Sequence, residues 1–129
     1  MDYVALIIDD NANNLDALAT MLQREGVTAI TLESPRDCPA ALREITHVDV
    51  VFLDLVFPNY NGIELIGILK ADKRLYDVPF VAYTVHIGER NEAREAGFHS
   101  FLGKPLNVDR FSERLQRILA GDPVWETDC

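Results

Sequence analysis

The sequence predicts an α/β fold, a single-domain three-layer sandwich in which a five-stranded parallel sheet carries helices on both faces. Three observations predict it. Short apolar runs rich in strand formers alternate, about five times, with stretches whose apolar residues recur at helical spacing. The runs are almost continuously apolar, as strands buried on both faces must be. Turn and cap residues punctuate the joins.

Residues 3–8 form the first run and end in Asp9-Asp10-Asn11. Leu15, Leu18, Ala19 and Leu22 then mark a helix stopped by Gly26. Thr28 to Leu32 reads as the second strand. Ser34-Pro35 starts the next helix, where Pro39 fits only in the first turn and Ala41, Leu42 and Ile45 give a weak apolar side. Residues 48–53 form the third strand and run into Asp54. A loop with Pro58, Asn59, Tyr60, Asn61 and Gly62 leads to an apolar helix of Ile63, Leu65, Ile66, Ile68 and Leu69. Residues 78–83 make the fourth strand, followed by Thr84. A polar helix over about 89–96 closes at Gly97, and 99–102 is a short strand before Gly103-Lys104-Pro105. Val108, Phe111, Leu115, Ile118 and Leu119 form the last helix, which ends before Gly121 and Pro123. The segment after Ala120 is expected to fray, with Trp125 either docked back on the domain or marking a boundary.

Charge narrows the function classes. The 129 residues carry 12 basic and 21 acidic side chains, a formal net charge of −9, and the pI is about 4.6. Such a chain lacks the basic footprint of a nucleic-acid binder and is repelled by anionic membranes. The start has no basic region ahead of an apolar core, and no apolar run approaches the ~20 residues of a membrane span. Two cysteines, Cys38 and Cys129, are too few for a disulfide scaffold. These features predict a cytoplasmic protein.

In open α/β sheets, ligands bind beyond the carboxyl ends of the strands. Asp9 and Asp10 follow the first run, Asp54 the third, Thr84 the fourth and Lys104 the fifth. Each alone has an ordinary structural reading: the acidic pair as helix caps, Thr84 as a strand end, Lys104 as a solvated cation. Together they place three carboxylates, a hydroxyl and an ammonium on one sheet edge. Three carboxylates repel one another, and a hard cation such as Mg²⁺ relieves this with oxygen ligands alone. His47, His86 and His99 lack metal-ligand spacing. A cation, a lysine and a hydroxyl around a carboxylate make a receptor for a phosphoryl group, with Asp54 as nucleophile.

At this point the chain resembles the receiver domain of two-component response regulators. The motifs are Asp9-Asp10, Asp54, Pro58 with Gly62, Thr84 and Lys104-Pro105, and the likeness covers nearly the whole chain. It implies a flavodoxin-like sheet of order 2-1-3-4-5, with a receiver domain over 1–121 and a short C-terminal tail over 122–129. It implies that Asp54 accepts a phosphoryl group from a phosphohistidine on a sensor histidine kinase or a histidine phosphotransfer protein. Asp9 or Asp10, Asp54 and the Val56 carbonyl would hold Mg²⁺, and Thr84 and Lys104 would contact the phosphoryl oxygens. Thr84 and Phe101 would form the switch. The fourth helix, fifth strand and fifth helix would form the output face, for a downstream effector or a homodimer. The domain would catalyse only its own phosphorylation and dephosphorylation.

The sequence departs from the family pattern at three places. Phe101 stands where tyrosine is frequent, so a switch there works by packing. Val85 is bulkier than the usual residue after Thr84 and narrows access to Asp54. Val56 and His86 flank the site where polar residues often tune the attacking water. The alternative is a degenerate receiver used as an interaction scaffold. A phosphatase is disfavoured because Val56 stands where a second acid is usual, and a nucleotide-binding domain because no glycine-rich loop follows the first strand.

Overall fold

A computed structural model describes residues 2–45, 47–56, 60–85 and 87–126. Pro58, Asn59, His86 and Cys129, singled out in the sequence, lie outside the described residues. The chain alternates β1 (Val4–Ile8), α1 (Ala12–Arg24), β2 (Thr28–Leu32), α2 (Cys38–Glu44), β3 (Val50–Leu53), α3 (Gly62–Lys70), β4 (Phe80–Thr84), α4 (Arg90–Ala96), β5 (Ser100–Gly103), α5 (Val108–Leu119) and β6 (Trp125–Glu126). The sheet is parallel throughout, in the order β2-β1-β3-β4-β5-β6. Its first five strands have the expected order 2-1-3-4-5; the sixth is an addition.

The side-chain alternation of each strand explains the three layers. Leu6, Ile8, Val51, Leu53, Phe80, Ala82 and Phe101 face α2, α3 and α4, meeting Leu42, Leu65, Ile66 and Ala93. Ala5, Ile7, Val50, Phe52, Val81, Tyr83 and Leu102 face α1 and α5, meeting Leu15, Leu18, Leu22, Phe111, Leu115 and Ile118. Each large apolar side chain buried this way contributes about 1.5–3 kcal/mol. Cys38 belongs to this core, and burial pushes its thiol up to about 11, so it packs as a small apolar residue.

Local chemistry sets the helix ends. The side chain of Asn11 accepts from the Asn14 N–H, Asn61 from Ile63, and Asn107 from Asp109 and Arg110. The cap of α1 is therefore Asn11, which leaves Asp9 and Asp10 for other work. Ser34 opens a 3₁₀ turn (Pro35–Asp37) that runs into α2, and Ile45 lies just beyond that helix. Gly97 closes α4 at φ 107, a left-handed value that favours glycine.

The described part of the segment after α5, residues 120–126, is held against the sheet. Val124 is fully buried, its N–H donates to Ser100 Oγ (2.9 Å), and its carbonyl accepts from the Phe101 N–H (2.7 Å). Trp125 stacks on Phe101 with ring centroids 6.2 Å apart. One buried valine and one stacked indole hold residues 124 and 125, which composition alone marked as loose.

Strand ends align across the sheet, since Ile8 pairs with Leu32 and Leu53, and Thr84 with Gly103. The residues that follow therefore gather on one edge. The turn after β3 is closed by Gly62, whose N–H donates to the Leu55 carbonyl at 2.9 Å. A Cβ at Gly62 would lie 2.5 Å from Leu55 Cα and 2.6 Å from the Asp54 carbonyl oxygen, and both are backbone atoms that cannot rotate away. Gly62→Ala is expected to destabilise the chain by about 1–3 kcal/mol in urea unfolding; a loss below about 0.5 kcal/mol would show that the turn relaxes freely.

Candidate functional site

Asp9 follows β1 and Asp54 follows β3, the two strands between which the chain's path across the sheet reverses direction. Their backbones continue the sheet, with the Asp9 N–H donating to Leu32 O and the Asp54 N–H to Ile8 O, both at 3.1 Å. Both carboxylates are thereby fixed at the base of a cleft of about 470 Å³. Asp10, Asn11, Asn14, Val56, Thr84, Val85, Lys104 and Pro105 complete its lining. Asp9, Asp10 and Asp54 each offer one carboxylate oxygen, and these oxygens lie within 4.8 Å of one another. That grouping can hold a metal ion. The sequence-derived candidates Asp9, Asp10, Asp54, Val56, Thr84 and Lys104 thus meet in one place. Phe101 does not, because it lies before Gly103 on the α4 side of β5.

Lys104 is delivered from the end of β5, where its N–H donates to the Thr84 carbonyl at 2.9 Å. Its ammonium donates to Asp9 Oδ2 at 2.8 Å and lies 3.4 Å from Asp54 Oδ2. One cation therefore serves two buried carboxylates. Asp9 is fully buried, Asp54 is 8 % exposed, and Asp10 faces solvent.

The environments split the pair. Burial alone would push the Asp9 carboxyl up, but Lys104, the Asn11 amide and Tyr83 all donate to it and hold it below the usual carboxylate range. Burial pushes the Asp54 carboxyl up; Lys104 opposes this, the negative charge of Asp9 adds to it, and the Val56 N–H gives only a long contact of 3.4 Å. Asp54 is thus the less well satisfied of the two carboxylates and the slightly more exposed one.

Tyr83 is the residue that sequence reasoning passed over. It sits on the α1/α5 side of β4, 2 % exposed, with its ring against Phe52 at 6.4 Å in an edge-on arrangement. Its phenol donates to Asp9 Oδ2 at 2.7 Å, and the Lys104 ammonium lies 4.2 Å from its ring centroid. Its own ionisation is pushed far upward by burial and by Asp9, so it remains a donor. The signal was present: a hydroxyl-bearing ring inside an otherwise apolar strand needs a buried partner.

Thr84 is buried and lines the cleft, while Val85 stands on the rim with 63 % of its surface exposed. Val56 is 44 % exposed and puts an apolar side chain beside Asp54. No helix among the described residues is long and apolar enough to cross a membrane.

Known proteins are similar to this chain in sequence and in fold. Residues 5–116 match the family described as the response regulator receiver domain. Relatives named polar-differentiation response regulator DivK, from Brucella ovis and Brucella suis, are 28 % identical over 121 residues, spanning 92 % of this chain and 98 % of theirs. Among solved structures, the chemotaxis response regulator CheY4 of Vibrio cholerae has a TM-score of 0.80 at 22 % identity, covering 92 % of this chain and 99 % of its own. The BeF3-activated DrrB receiver domain has a TM-score of 0.76 at 24 % identity, over 93 % of this chain and 99 % of that one. These structures share the fold, and the match over residues 5–116 fixes the kinship: the chain belongs to the response regulator receiver domain family.

Proposed function

We propose that this chain is a phosphoacceptor switch, in which Asp54 takes a phosphoryl group from a phosphohistidine on a sensor histidine kinase or a histidine phosphotransfer protein. The observation that supports this best is the convergence of three carboxylate oxygens within 4.8 Å on a cleft whose lysine already bridges two of them. The donor set is oxygen only, which fits Mg²⁺. Asp9, Asp10, Asp54 and the Val56 carbonyl would hold the ion, and the ion would supply positive charge against the phosphoryl oxygens.

An Asp54 carboxylate oxygen attacks phosphorus; the phosphorus–nitrogen bond breaks, its electron pair stays on the imidazole, and the product is an acyl phosphate on Asp54. Lys104 pivots from Asp54 to a phosphoryl oxygen, and the Thr84 hydroxyl donates to another. Water later cleaves the acyl phosphate to carboxylate and inorganic phosphate. Val56 gives that water no polar side chain to orient it, so self-dephosphorylation is slow. The chemistry acts on the chain itself, which makes it a signalling protein.

Incubation with Mg²⁺ and acetyl phosphate, or with a cognate kinase where Val85 obstructs the small donor, is expected to add the mass of one phosphoryl group. Asp54→Asn is expected to remove that adduct. An adduct that persists in the variant overturns the assignment of Asp54, and no adduct from either donor leaves the scaffold reading.

A stability consequence follows from the environment of Asp54. Its folded carboxyl is raised, so the folded state holds this proton more tightly than the unfolded state, and ionising Asp54 costs stability. Asp54→Asn is therefore expected to stabilise the metal-free chain at neutral pH by about 1 kcal/mol, the scale of a relieved functional-site conflict. The gain should fade as pH falls through the carboxylate range, where wild-type Asp54 is itself protonated. Urea midpoints at neutral and acid pH check this.

Tyr83→Phe keeps the ring under Lys104 and deletes one donor to Asp9. It is expected to slow phosphorylation at saturating donor by about tenfold, the scale of a lost supporting partner around a metal-binding carboxylate. A rate within twofold of wild type would show that Lys104 and the Asn11 amide hold Asp9 unaided.

A further inference from the structure

The added strand β6 lies on the outer edge of β5, against the helix that begins soon after the cleft. Helix α4 is only seven residues long, and Ala93 is its one buried residue. A helix so short is marginal without packing, and the methyl groups of Ala93 and the half-buried Ala96 are small anchors. A further anchor is Trp125. The Arg94 guanidinium sits 4.5 Å from the indole centroid, the Arg90 guanidinium reaches the Trp125 carbonyl at 3.5 Å, and the other side of the contact is the stack on Phe101. At the start of α4, Glu89 Oε2 is buried without a hydrogen-bond partner among the described residues, so the present seating of this helix leaves one polar atom unsatisfied. The helix is thus weakly held by the core, imperfectly satisfied at its start, and clasped by the segment after α5.

The same helix is tied to the cleft. Thr84 and Val85 line it, and the chain passes from Val85 through a 3₁₀ turn (Ile87–Glu89) straight into α4. A phosphoryl group adds negative charge and acceptor oxygens beside Thr84 and Lys104. Any movement of the Thr84–Val85 backbone toward those oxygens pulls on the start of α4. Arg90 and Arg94 move with it, and Trp125 loses its clasp.

We propose that residues 122–126 form a built-in latch, in which Trp125 pins α4 to the edge of β5, and that phosphorylation of Asp54 releases it. The proposal rests on the phosphoacceptor reading above and adds a regulatory device to that site. Because coupling between two sites is reciprocal, the latch also restrains the cleft, and weakening it favours the phosphorylated arrangement.

Trp125 is the only tryptophan in the chain, so its fluorescence reports the latch directly. The full chain is incubated with Mg²⁺ and acetyl phosphate, or with the kinase. Adduct mass and indole emission are followed in the same sample. The expected result is a red-shifted emission and increased quenching by acrylamide, rising in step with the adduct. Trp125→Ala, and independently Arg94→Met, which leaves the strand pairing of β6 in place, are expected to tighten the binding of beryllium fluoride, a phosphoryl mimic, to the chain in Mg²⁺, Trp125→Ala by about fivefold. A full adduct with unchanged emission and quenching overturns the latch while leaving the phosphoacceptor reading standing. Beryllium fluoride affinities in Arg94→Met and Trp125→Ala equal to wild type also overturn it. Absence of any adduct overturns both.

Discussion

One ammonium group shared by two buried carboxylates is the interaction on which the rest of the site depends. Asp9 and Asp54 are neighbours because β1 and β3 are neighbours, and in a parallel sheet both strands end on the same edge. Side by side and hidden from water, the two charges would be untenable alone. Lys104 resolves this from two strands beyond β3, at the end of β5. The register of β4 and β5, pairing Thr84 with Gly103, is therefore a requirement of charge as well as of packing. A slip by one residue would turn the cation away and leave both acids unpaired.

Much of this was legible in the sequence because it obeys two simple periodicities. Continuous apolar runs separated by helical patterns place five strands and five helices, and reading the residue after each run finds Asp9, Asp10, Asp54, Thr84 and Lys104. What escaped has a physical reason in each case. Tyr83 occupies a core position, and its role depends on which face of β4 it takes, which alternation sets but composition does not announce. Gly62 suits a turn by its type; its need for space appears only once Leu55 and Asp54 fold back over it. The sixth strand has two residues, too few for any pattern, and its stability comes from Val124 and from a stack between residues 24 apart.

Two aromatic side chains, Tyr83 and Phe101, divide the labour of β4 and β5 between the faces of the sheet. Tyr83 points toward α1 and α5 and works on the charges of the cleft. Phe101 points toward α4, carries no hydroxyl, and meets Trp125 by its ring face alone. A phenol at 101 would need a polar partner or water, and the indole offers its face instead. Packing can thus couple β5 to the segment after α5 without a hydrogen bond between the two rings.

The electrostatics of the pocket give Tyr83 a further part. Lys104 serves two acids, and an ammonium that turns toward a third acceptor weakens its hold on the first two. Asp9 is then left fully buried, with the Asn11 amide on Oδ1 and the Tyr83 phenol on Oδ2. Without the phenol, Oδ2 would have no direct donor among the described residues but the departing cation, and the cost of stranding it would oppose the turn. With the phenol in place, Asp9 stays solvated by the protein, and in the proposed mechanism Lys104 could turn toward a phosphoryl group on Asp54. In the proposed mechanism, a buried tyrosine that looks like core packing would let the lysine serve as a movable charge.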